Sequence, residues 1–90
     1  MPLQNRVTPE GEITGYEKQI PAKDMPRAAS QALEDKFPKA TIKMVEEVYK
    51  VVKGQPDKVE YYEVALVTAD NKKLEVHVAA DGKILKAGKE

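Results

Sequence analysis

Two runs of alternating apolar and polar residues, joined by a turn, constrain this chain more than any other feature of it. In YYEVALV (61–67), Tyr62, Val64 and Leu66 fall on one side. In KLEVHV (73–78), Leu74, Val76 and Val78 do the same. A period of two is the mark of strands with one buried face. The linking residues Ala69-Asp70-Asn71 suit a type I turn followed by one left-handed residue, since Asn tolerates that conformation. The result is a three-residue hairpin loop flanked by residues 68 and 72. This loop sets Leu66 opposite Leu74, Val64 opposite Val76 and Tyr62 opposite Val78. A two-residue loop would turn one strand over and bury its polar side.

The remaining segments are read around that hairpin. Residues 1–10, with two prolines and no periodicity, are expected to form a flexible N-terminus, and 11–90 a single domain. A strand is expected over Glu12–Gln19, with Gly15 weakening it or marking a bulge, and Pro21 ends it. Asp24 suits a helix N-cap and Pro26 the first turn. Met25, Ala28, Ala29, Ala32, Leu33 and Phe37 then recur at helical spacing, and Pro38 stops the helix. Thr41–Lys53 fits a second amphipathic helix, but its valines, Ile42, Thr41 and Tyr49 fit a strand better, with a bulge near Val45. A short strand over Lys83–Lys86 follows the Asp81-Gly82 turn. Ala69-Asp70-Asn71-Lys72 and Ala80-Asp81-Gly82-Lys83 share one turn recipe.

The fold class that follows is α+β: a four- to five-stranded antiparallel sheet with one α-helix packed across one face. Leu33, Ala29, Phe37, Tyr62, Val64, Leu66, Leu74, Val76, Val78 and Ile84 form the expected core. Fifteen basic and fifteen acidic residues leave no net charge, which argues against nucleic acid as a partner. No apolar run reaches membrane-spanning length, so membrane insertion is not expected. With no cysteine, thiolate metal sites and disulfides are excluded.

The order strand, helix, long strand, hairpin, short strand resembles the PepSY-like domains, related to the β-lactamase-inhibitor-protein fold. The resemblance rests on Met25-Pro26, Ala28-Ala29, Ala32-Leu33 and Phe37-Pro38 with Ala40 and Ile42. It continues through Tyr62-Glu63-Val64, Leu66, Leu74-Glu75-Val76, Val78 and Asp81-Gly82-Lys83-Ile84-Leu85. It spans about residues 20–86. Asn71 departs from the glycine common at its position, and one full unit is present. The resemblance implies a periplasmic or secreted module that binds proteins, with regulation or inhibition of a peptidase as the implied role.

Candidate site residues lie on the outer face of the hairpin. His77 falls opposite Glu63, where it reads as a metal ligand, a general base or one half of a cross-strand charged pair. The pair suffices, because Glu63 alone accounts for it and no HxH or HExxH spacing is present. Glu46-Glu47, Glu60 and Glu63 could suggest paired acid and base, yet solvated strand faces carry such residues routinely. No phosphate loop or nucleophile motif occurs. No catalytic, cofactor-binding or metal residues are therefore assigned. Tyr61, Ala65, Val67 and Ala79 beside Glu63, Glu75 and His77 compose either an ordinary solvated sheet face or a flat contact surface. The expected function is a non-enzymatic protein-binding module using those seven residues. The rivals are a self-associating assembly subunit and a metal-binding or enzymatic domain built on His77.

Overall fold

The alternation in residues 61–78 folds as a hairpin in the register it dictates. The protein is represented by a computed structural model that describes residues 3–7 and 13–89. Its strands are β1 (Leu3–Val7), β2 (Ile13–Ile20), β3 (Thr41–Lys50), β4 (Lys58–Val67), β5 (Lys73–Val78) and β6 (Ile84–Lys89). A 3-10 turn, Ala22–Asp24, and the helix α1, Arg27–Lys36, lie between β2 and β3. All neighbours are antiparallel, in the order β1-β2-β3-β4-β5-β6. Strands β2–β6 make the sheet expected from sequence, and β1 adds a sixth strand at one edge. The rest of the expected N-terminal flexible stretch, with Glu12 of the expected first strand, lies outside the described residues.

Leu66 pairs with Leu74, Val64 with Val76 and Tyr62 with Val78. The Thr68 and Asn71 amides donate to the carbonyls of Lys72 and Thr68, and Asn71 sits at φ 72°. Thr68 Oγ1 donates to the Asp70 carboxylate and accepts from the Lys72 amide at 3.0 Å. The next turn repeats this closure, with Ala79 bonded to Lys83, Gly82 to Ala79, and Gly82 at φ 95°. The two left-handed positions differ in their surroundings. Asn71 is exposed, whereas a Cβ on Gly82 would stand 2.8 Å from the backbone oxygen of Ala28 in α1. The second turn is thus pressed against the helix backbone.

The helix begins later than its capping signals suggest. Asp24 is not the N-cap; it ends the 3-10 turn, and Pro26 takes the cap position. The physical reason is the residue before proline. Pro26 holds Met25 in an extended conformation (ψ 142°), so no helix can run through it. Met25, Ala29 and Leu33 pack on Val45, Tyr62, Val64, Leu66, Val76 and Val78, with Phe37, Leu74 and Ile84 at the margin. Burial of these side chains against the sheet is the main favourable term holding α1 in place.

Strand β3 resolves its ambiguous sequence with bulges. The register slips between Ile42 and Met44, and the partner strand carries an extra residue opposite Val48 and Tyr49. Ile42 and Val45 consequently both face the helix, while Val48 pairs with Tyr61 on the other side. Tyr16 and Tyr49 stack at 4.6 Å, and their hydroxyls donate to Asp57 and Glu47.

Exchanging the turn residues tests these two environments. Asn71→Gly should be neutral or stabilising in urea melts, whereas Gly82→Asn should destabilise by about 1–3 kcal/mol, because only there does a Cβ meet backbone. Leu33→Ala should lose about 2–5 kcal/mol by emptying the helix–sheet core.

Candidate functional site

The face of the sheet away from α1 is not a simple solvated surface. The strand register places Gln19, Glu46, Glu63, His77 and Lys86 in one cross-strand row over β2–β6. Glu17, Val48 and Tyr61 lie beside it on one flank, and Met44, Ala65 and Glu75 on the other. Val48 is 1% exposed and Glu46 8% exposed, although no described element covers this side. Neighbouring side chains do the covering. The outer face thus has a small packed layer of its own, largely of carboxyl groups.

All seven residues expected on this face are half-buried, and six of them lie on it in β4 and β5: Tyr61, Glu63, Ala65, Val67, Glu75 and His77, whereas Ala79 stands just past β5. Tyr61, Glu63, Glu75 and His77 are drawn into one cluster. The Tyr61 and His77 rings stack, with centroids 4.6 Å apart and planes 19° from parallel. Val67 stands at the far end with Lys43 and Lys73, in a shallow groove of about 250 Å³. Ala79 opens the second turn.

Glu63 and His77 are cross-strand partners, as the hairpin register requires, but the His77 ring bonds elsewhere. Nε2 of His77 lies 3.2 Å from Oε2 of Glu75, two residues back on the same strand. Glu63 also stands beside Glu75, with carboxyl oxygens of the two within 4.8 Å of each other, and Glu46 stands within the same distance of Glu17.

Carboxyl groups this close do not ionise independently, and the local electrostatics say which holds a proton more tightly. Burial pushes the Glu63 carboxyl up to about 7, helped by the neighbouring Glu75 and the charges of Glu17 and Glu46. Glu75 is held below its ordinary value, first by Glu63 beside it and then by His77. Of the two, Glu63 holds a proton more tightly. Burial also raises Glu46, with Glu17 and Glu75 adding to the effect. By distance, Glu63, Glu75 and His77 could hold a metal ion, as could Glu17, Glu46 and Glu63, since the donor atoms in each set lie within 4.8 Å of one another.

Glu17, Glu46 and Val48 were not picked out as site residues. Glu46 reads from sequence as solvated, because the extra residue at Lys43 in β3 hides which residues share a face. A larger groove, about 330 Å³, lies on the helix side between Leu33, Phe37, Ala40, Ile42 and Leu66, away from this cluster. No helix among the described residues is long and apolar enough to cross a membrane. Comparison with protein-family models, with curated proteins and with solved structures gives no match.

If the outer layer is packed as described, Val48→Ala should destabilise the fold by about 1–3 kcal/mol although Val48 touches no part of the helix-side core. Urea melts of the two proteins measure this directly.

Proposed function

We propose that this chain is a non-enzymatic, extracytoplasmic protein-binding module whose contact surface is the sheet face opposite α1. The observation that supports it best is the cluster on that face. A stacked Tyr61–His77 pair stands beside half-buried Glu63 and Glu75, with Ala65 and Val67 extending a flat, partly apolar strip. Tyr61 is the anchor in this reading, since tyrosine offers a large contact area with few rotors and a hydroxyl. Glu17, Glu46, Glu63 and Glu75 make the centre of this surface acidic, with Lys50, Lys73 and Lys86 around it, so a partner that presents basic groups to the centre fits it best. The resemblance over residues 20–86 favours a peptidase as that partner, and regulation or inhibition as the outcome.

The test compares two single variants. A thermolysin-type metallopeptidase is assayed with the wild-type chain, with Tyr61→Ala and with Arg27→Ala, which alters the exposed side of the helix. Wild type and Arg27→Ala should slow the peptidase, and Tyr61→Ala should bind it more weakly by about 1 kcal/mol or more. Equal behaviour of all three would remove the outer face from the contact. A concentration-dependent mass in sedimentation, abolished by Tyr61→Ala, would instead make a second copy of the chain the occupant of this face.

A further inference from the structure

We propose that the carboxyl row on the outer face is a proton-operated switch: Glu17, Glu46, Glu63 and Glu75 stand too close together to ionise independently, so pH sets the charge of the whole face. The argument begins with geometry. Glu17 on β2, Glu46 on β3, Glu63 on β4, and Glu75 and His77 on β5 are brought together by the register of four adjacent strands. Donor atoms of Glu17, Glu46 and Glu63 lie within 4.8 Å of one another, and so do those of Glu63, Glu75 and His77. Glu63 belongs to both sets and sits at the centre.

The cations facing Glu63 are few. Lys86 on β6 stands one strand beyond, opposite His77, and Lys43 and Lys73 lie past Ala65 at the Val67 end. Lys50 on β3 lies beyond Val48 on the same face, and it is exposed. None of these forms an ion pair with Glu63 among the contacts described for it. Lys18 and Glu47 pair with each other on the helix side of the sheet. Four carboxyl groups in this space, one of them 8% exposed, would repel each other strongly if all were ionised. A proton held on Glu63, at the centre of both sets, relieves that repulsion, and one on Glu46 relieves it further.

The sign of the pH effect follows from linkage. Glu63 holds its proton more tightly in the folded chain than in the unfolded one, where the ordinary value is 4.5. The folded state thus carries more protons between 4.5 and about 7, and stability falls as pH rises through that window. Glu46 shifts in the same direction and adds to the fall. Glu75 shifts the other way, so its contribution is gained above the ordinary value and lost only in stronger acid. The switch is a property of this chain alone and does not depend on a partner. Where the face meets a basic partner, release of the proton would also strengthen the attraction.

The experiment follows urea midpoints and carboxyl carbon NMR shifts between pH 5 and 8, with a chelator present so that no divalent ion replaces the proton. The wild-type midpoint should fall as pH rises. Glu63→Gln, which keeps a donor toward Glu75 without the charge, should have a higher midpoint than wild type at pH 8 and lose at least half of the pH-dependent fall. Glu34→Gln, on the exposed side of the helix, should leave the curve as it is. A Glu63→Gln midpoint at or below that of wild type at pH 8, or a fall reduced by less than half, overturns the proposal. The NMR titration of the wild-type chain decides it without any variant. The Glu63 carboxyl should titrate at pH 6 or above, while the His77 ring is followed by its own signals. A Glu63 midpoint below 6 overturns the proposal.

Discussion

Everything in this fold depends on the register between β4 and β5, and that register depends on a backbone conformation at one residue. Asn71 in the left-handed region makes the loop three residues long, and the pairing of Leu66 with Leu74 follows. With the period of two, that pairing decides the fate of every other side chain on both strands. Tyr62, Val64, Leu66, Val76 and Val78 go under the helix, whereas Tyr61, Glu63, Glu75 and His77 go to the opposite side. The outer face is therefore a consequence of the core pattern, because a strand that buries one set of residues has no choice about presenting the other.

The helix is held by the same device used a second time. Gly82 occupies the position in the second turn that Asn71 occupies in the first, and it lets the turn approach the carbonyl of Ala28. One turn recipe thus serves a solvated site and a packed one. The difference between them is the Cβ, not the turn.

Much of this was legible in the sequence. The hairpin register, the shared turn recipe, the helix stripe and the helix-side core could be read because alternation and turn chemistry point to the same answer. The helix start is the exception: Asp24 carries a good capping side chain, but the restriction that Pro26 places on Met25 overrides it. The outer face was half legible. Its β4 and β5 residues follow from the hairpin, but Glu46 and Val48 stand beyond the extra residue at Lys43, which resets the alternation of β3. A residue-by-residue pattern cannot place a side chain beyond a bulge whose position it does not fix. The bonding of His77 escaped for a different reason. Cross-strand geometry made Glu63 its neighbour, yet Glu75 on its own strand is the carboxylate that Nε2 reaches.

The carboxyl cluster is hard to explain as a stabilising feature. Glu46 stands directly opposite Glu63, and like charges so placed destabilise a sheet. Burial makes their ionisation more costly still. Threonine or valine at these positions would satisfy the pleated surface without that penalty. A proton held on Glu63 makes the arrangement tolerable, but it also ties it to the solution: a packed apolar layer would hold at any pH, whereas burial pushes this carboxyl up to about 7. Val48 and the Tyr61–His77 stack supply the packing that keeps the carboxyl groups close together. The outer face is thus built in two parts, an apolar frame fixed by the strand register and an acidic row whose charge the frame controls.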